Sequence, residues 1–163
     1  MKLTEKQHQF VLSWGSLGSQ WGLNKTLAQI HGLFLITEEA ISMEDIMEVL
    51  MISRGNVNMN IRTLIDWGII YRISKMGERR EYYIGEKDMW LLLKRVLKVR
   101  KERELDPMLK LISDIKINGF ETENNLFIER ISSIETFAKQ ADSMLALFLS
   151  MDDSNDFFKY SQF

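Results

Sequence analysis

The stretch Ile52–Ile73, ISRGNVNMNIRTLIDWGIIYRI, begins with helical spacing and ends with strand spacing. Val57, Ile61, Leu64 and Ile65 form a narrow apolar stripe of the kind that seats a helix on a core. The remaining surface carries Arg54, Gly55, Asn58, Met59 and Arg62. Residues 53–65 hold no Asp or Glu at all. Ser53 is a natural N-cap and Gly68 a natural stop, so the spacing predicts a helix from Ser53 to Trp67. A solvated face of an ordinary helix is the plain reading of its outer side. A face built to meet phosphates and base edges explains why Glu and Lys are missing from it.

The elements on either side sharpen that choice. Ser42, with Asp45 in the first turn, caps a short helix over about 43–51. Apolar spacing predicts a helix over 4–22 with Phe10, Trp14, Leu17 and Trp21 on one face, weakened by Gly15, Gly18 and Gly22. A second runs over 25–38 with Leu27, Ile30, His31, Phe34 and Leu35 inward. After Gly68 the period changes to two. Ile69–Lys75 and Arg80–Gly85 read as strands joined by the turn Met76–Arg79, a hairpin with a basic tip. A short helix, a tight turn, a second helix with a polar outer face and a hairpin make a winged helix-turn-helix. In that arrangement the second helix enters the DNA major groove, where Asn can pair with adenine, Arg with guanine and an apolar methyl with thymine.

Downstream, Asp88 caps a long helix, and Pro107 marks a break or bend in it. A helix over about 108–118 stops at Asn118-Gly119. The last helix spans about Glu123–Met151. Its apolar positions Phe127, Ile131, Ile134, Ala138, Ala141, Leu145 and Phe148 alternate by four and three, a heptad seam for packing along another helix. The tail DDSNDFFKYSQF, Asp152–Phe163, is acidic and aromatic and is assigned no structure. The fold class is mainly α with a small two-stranded hairpin. Three segments follow: an N-terminal helix (1–22) contributing to a dimer interface, a winged helix-turn-helix (23–86), and a helical connector with dimerisation helices (87–163).

Composition limits the functions. The chain has 163 residues, 45% of them hydrophobic, with net charge −2, one proline and no cysteine. Disulfides, thiol redox sensing and Cys-based zinc sites are excluded. No apolar run approaches the roughly 20 residues of a bilayer span, and no signal-peptide core is present, so a cytoplasmic protein with no membrane partner is expected. The small net charge conceals a gradient. Ser53–Arg80 holds six basic residues (Arg54, Arg62, Arg72, Lys75, Arg79, Arg80) against Asp66 and Glu78, net +4, whereas Asp106–Phe163 holds five basic and ten acidic, net −5. Only the basic end is suited to DNA.

The same residues resemble the GbsR-type branch of the MarR-like winged-helix regulators. Members of that branch show a Ser-(Lys/Arg)-Gly-Asn-Val-x-Met-Asn-(Leu/Ile)-Arg run, then a Trp-Gly pair, a Gly-Asp-Arg wing and an aromatic pair. Here these match Ser53, Arg54, Gly55, Asn56, Val57, Met59, Asn60, Ile61, Arg62, Trp67, Gly68, Gly77, Arg79, Tyr82 and Tyr83. Glu78 stands where Asp is usual, and Asn58 where Ser is common. FVLSWGSLGSQWGLNKTLAQIHGLFLI and RKERELDPMLKLI resemble the flanking parts of the family. The resemblance covers about Phe10–Ile112. It implies a homodimeric repressor built on terminal helices, and some relatives respond to choline or similar ligands.

The expected DNA-binding set is Ser53, Arg54, Gly55, Asn56, Asn58, Met59, Asn60, Arg62, Lys75, Arg79 and Arg80, acting on a pseudo-palindromic double-stranded operator. Trp14, Trp21, His31, Phe34 and Trp90 could line a pocket for a small-molecule effector, since aromatic rings hold quaternary ammonium groups by cation–π attraction. Ordinary core packing is the competing account of all five. The seven seam residues are the expected dimer interface. No enzyme, cofactor or metal is expected. Two histidines without an acidic cluster lack ligand spacing, and GSLGSQWG lacks the strand and the Gly-Lys-Ser/Thr of a phosphate loop. The alternative function is a winged-helix module that binds protein without reading DNA; an RNA-binding role is weaker.

Overall fold

The structure is a computed structural model and describes residues 1–78, 80–117, 119 and 124–151. It divides into two compact units, Met1–Leu92 and Leu93–Phe163. The first unit takes in residues 1–22 together with the helix-turn-helix and hairpin segment.

The first unit begins with α1 (Glu5–Gln20) and α2 (Lys25–Ile36). Thr4 caps α1 in a capping box with Gln7, and the Asn24 side chain accepts from the N–H groups of Thr26 and Leu27. The face that α1 buries is not the aromatic one that spacing suggested. Val11, Gly15 and Gly18 are buried, while Phe10 is 36% and Trp21 51% exposed. The glycines are there for packing. A Cβ on Gly18 would lie 2.4 Å from the Ala28 Cβ, one on Gly15 2.4 Å from the Gln29 Cγ, and one on Gly32 2.9 Å from the Trp14 Cδ1. Whatever helix propensity the chain loses at these positions is offset by close contact between α1 and α2.

Next come β1 (Ile41–Ser42), α3 (Met43–Leu50) and α4 (Arg54–Asp66), then β2 (Ile70–Ser74) and β3 (Glu81–Gly85). Buried Ser42 ends β1 and caps α3. Its hydroxyl accepts from the Asp45 N–H, and the Asp45 carboxylate accepts from the Ser42 N–H. The turn into α4 is Met51–Ser53, with Met51 in the left-handed region at φ 53°. The sheet is antiparallel in the order β1-β3-β2, with Ile41 opposite Tyr83 and Arg72 opposite Tyr83 on the other side. It has three strands where two were expected, because a two-residue strand carries no periodicity to detect. The core joins Leu27, Ile30, Leu33 and Phe34 of α2, Ile46 of α3, Val57, Ile61 and Leu64 of α4, and Ile69, Ile70 and Tyr83 of the hairpin.

α5 (Met89–Arg100) starts at Asp88, whose carboxylate accepts from the Trp90 and Leu91 N–H groups. It leads through a π-helical segment, Lys101–Leu105, into α6 (Asp106–Ile117). Pro107 does not break the helix. A proline ring crowds the carbonyl four residues back, and a π turn moves that carbonyl aside. In the second unit α7 (Asn125–Ser150), capped by Asn124, packs on α6 and on the π segment. Lys101 bridges Asp106 at 2.6 Å and Asp142 at 2.9 Å. Asn118, the expected start at Glu123 and the tail Asp152–Phe163 lie outside the described residues.

The seven seam residues differ in burial within the chain. Ala138 is fully buried, and Ile131, Ala141, Leu145 and Phe148 are partly buried. A heptad stripe records that a helix packs along something, not whether the partner is its own chain. The apolar side chains that α7 leaves in solvent are Leu126, Phe127, Ile134, Phe137, Met144 and Leu147.

Candidate nucleic-acid interface

α4 presents its face as the sequence predicts. Val57, Ile61 and Leu64 are buried, while Arg54, Gly55, Met59 and Arg62 are exposed and Asn58 is half-buried. Ser53 accepts from the Asn56 N–H at 3.3 Å and closes the first turn. The acidic end of the helix, Asp66, lies three turns away from that N-terminus.

Two of the expected residues have roles other than free surface contacts. Asn60 is only 2% exposed. It lies three residues after Val57 and four before Leu64, so it belongs to the buried stripe, a signal the sequence already carried. Its amide nitrogen donates to the Asn56 main-chain oxygen at 2.8 Å and to the Asn56 side-chain oxygen at 2.7 Å. Asn60 therefore sits on the buried side of α4, away from its exposed face. Arg54 is exposed but donates to Glu44 at 2.5 Å, a partner on α3 outside the basic stretch. Carboxylate and guanidinium are both well solvated, so the pair is weak and open to exchange with a phosphate.

At the wing, Lys75 lies 4.0 Å from the centre of the Tyr82 ring. The Tyr82 hydroxyl donates to Glu78, and the Tyr83 hydroxyl donates to Glu81. Arg72 is paired with Glu81 at 3.0 Å. Met76 is fully exposed, and Gly77 turns the tip at φ 82°. Arg80 is exposed, and Arg79 lies outside the described residues. Among the described residues, Arg62, Lys75 and Arg80 carry cationic groups in no ion pair, so the net positive charge of this end is concentrated on α4 and the wing.

Of the expected effector residues, Trp14 contacts both Trp21 and His31. Trp14 stacks on Phe10 at 5.6 Å, meets Trp21 edge-on at 6.3 Å and donates from its indole nitrogen to His31 Nδ1 at 3.3 Å. Phe34 is instead a core residue, 1% exposed and packed on Gly85, where a Cβ would approach within 2.8 Å. Trp90 is half-buried in the first turn of α5. Among the described residues no group of three acidic or histidine side chains could hold a metal ion, and no helix is long and apolar enough to cross a membrane.

No protein-family model and no curated protein matches this chain. A solved structure described as the crystal structure of a transcriptional regulator superposes with a TM-score of 0.68 at 19% identity, over 88% of this chain and 95% of that one. The likeness extends across nearly both chains and establishes a shared fold: mainly helical, with a small antiparallel sheet.

Proposed function

We propose that this chain is a sequence-specific, double-stranded-DNA-binding transcriptional regulator, a homodimeric repressor of the GbsR-type branch of the MarR-like proteins. α4 is its recognition helix and the β2–β3 hairpin its wing. The observation that carries this reading is Gly55. Four of the nine glycines, Gly22, Gly68, Gly77 and Gly119, have positive φ. Four others, Gly15, Gly18, Gly32 and Gly85, are pressed against neighbours of the same chain. Gly55 has neither excuse: a Cβ there meets nothing within 4 Å. It sits at the second position of α4, exposed, where any other residue would favour the helix more. An absent side chain with no internal cause is accounted for by close approach of something external, and Arg62 on the same helix with Lys75 and Arg80 on the hairpin suit a polyanion.

Gly55→Ala therefore separates fold from function. It should raise the stability of the free protein by up to about 1 kcal/mol. It should also weaken binding to a duplex selected from a randomised library. Urea denaturation and fluorescence anisotropy give the two signs. Equal DNA affinity of variant and unmutated protein would leave α4 as an ordinary solvated helix and favour the protein-binding module.

A two-fold dimer would present two copies of α4, so the operator should be a pseudo-palindrome with half-sites about 10 bp apart or a multiple of it. The exposed apolar side of α7, running from Leu126 to Leu147, spans about 30 Å and is the surface we assign to the second copy. For effector control, the reading rests on the partly open Phe10–Trp14–Trp21 cluster, whose faces suit a small organic cation. A quaternary ammonium compound bound there should quench Trp fluorescence and change DNA affinity, each ligand altering the other's binding by the same factor. Titration without a change in either signal would reduce the cluster to packing.

A further inference from the structure

The Asn60–Asn56 pair determines more than packing. Asn60 Nδ2 lies 2.8 Å from the main-chain oxygen of Asn56, which can only accept. The Asn60 atom facing it must therefore be the amide nitrogen, since an oxygen there would oppose another oxygen. The same nitrogen lies 2.7 Å from the end of the Asn56 side chain. Two amide nitrogens facing each other would repel, so that end must be Oδ1. Both amide orientations are thus fixed by chemistry. Because Asn60 is buried, water does not compete for the contact.

The consequence falls on Asn56, half-buried in the first turn of α4. Its side-chain acceptor faces the protein, and its two amide N–H groups bond to no described residue. Paired hydrogen bonding to adenine needs one acceptor and one donor from the same carboxamide. Asn58 retains both, whereas Asn56 offers donors. We propose that Asn60 is a positioning residue that holds Asn56 as a donor, so that Asn56 engages an acceptor of the DNA and does not pair with adenine. The acceptor is a base atom (guanine O6 or N7, adenine N7, thymine O4) or a phosphate oxygen, and what is ruled out is the paired N6/N7 contact with adenine. This rests on the DNA-binding reading and deepens it.

The test starts from a duplex that the unmutated protein selects from a randomised library. If it binds no duplex, the DNA-binding reading fails before this inference is touched. On the selected duplex, Asn56→Ala should lose about ten- to a hundredfold in affinity. Single-atom analogues then delete guanine N7, guanine O6, adenine N7, thymine O4 or adenine N6 one at a time, and methylphosphonates neutralise one phosphate at a time. The modification that weakens the unmutated protein but not Asn56→Ala marks the partner. It should be an acceptor, and its identity distinguishes base from phosphate. Identification of adenine N6, a donor, as that partner would overturn the proposal, and so would an unchanged affinity for Asn56→Ala. Asn60→Leu, close in volume, frees the Asn56 amide to turn. Its selected sites should shift toward adenine at that position, because the paired N6/N7 contact becomes available. A folded Asn60→Leu with unchanged base preference would remove Asn60 from the positioning role. Should that variant not fold, the Asn56→Ala arm decides alone.

Discussion

Phe137→Glu should turn a dimer into a monomer without unfolding the chain. Phe137 is 69% exposed on α7, so a charge there disturbs no internal packing. It lies among Ile134, Met144 and Leu147, which are 45%, 72% and 62% exposed. Such a stripe is costly to keep in water unless another surface covers it. Each copy would lose about 1.5–3 kcal/mol of apolar burial, and a two-fold interface counts the loss twice. The dissociation constant should rise on the order of a hundredfold or more. Sedimentation over a concentration series measures it, with circular dichroism to establish that the variant is folded. A monomeric unmutated protein, or a variant with an unchanged constant, would end the assignment of this face to a second copy. Operator affinity should fall with the dimer, because a monomer contacts one half-site.

Much of the fold is legible in the residues because its signals are local. Ser42, Ser53 and Asp88 cap the helices they were expected to cap, and Gly68 ends α4 at φ 71°. What escaped depends on partners distant in sequence. The α1 glycines read as weaknesses until α2 is laid against them. The π turn before Pro107 has no pattern of its own. Met51 occupies a left-handed position that glycine or asparagine would have signalled. Within the candidate interface, the outward face of α4 was readable from spacing and the absence of acid. That Glu44 takes Arg54 was not, since ten residues and a turn separate them. Asn60 shows how a motif can mislead. It sits among candidate interface residues in sequence but on the buried stripe in space, and the wheel position outranks the residue type.

His31 gives the other large effect, and it concerns stability. Its Nδ1 accepts the Trp14 indole N–H, which places the remaining proton on Nε2. That Nε2 is buried without a hydrogen-bond partner. Burial of most of the ring lowers the imidazole pKa from 6.5 to about 4, because a charged ring there would lose much of its hydration. The unfolded chain takes up this proton near pH 6.5, the folded chain only near pH 4. Between those values the unfolded state binds more protons, so stability must fall as pH falls. The contribution is complete above pH 6.5 and lost by about pH 4, a difference of about 3 kcal/mol at most. His31→Phe keeps a ring of similar shape and removes the titration. Other carboxylates titrate in the same window, so the comparison of the two proteins carries the information. Urea denaturation at intervals from pH 7 to pH 4 should show the unmutated protein losing about 3 kcal/mol more than the variant. Parallel profiles would mean that the ring reaches solvent or finds a partner when protonated. In that case the Trp14–His31 pair would be a surface feature of α1 and α2, and not a buried polar contact between them.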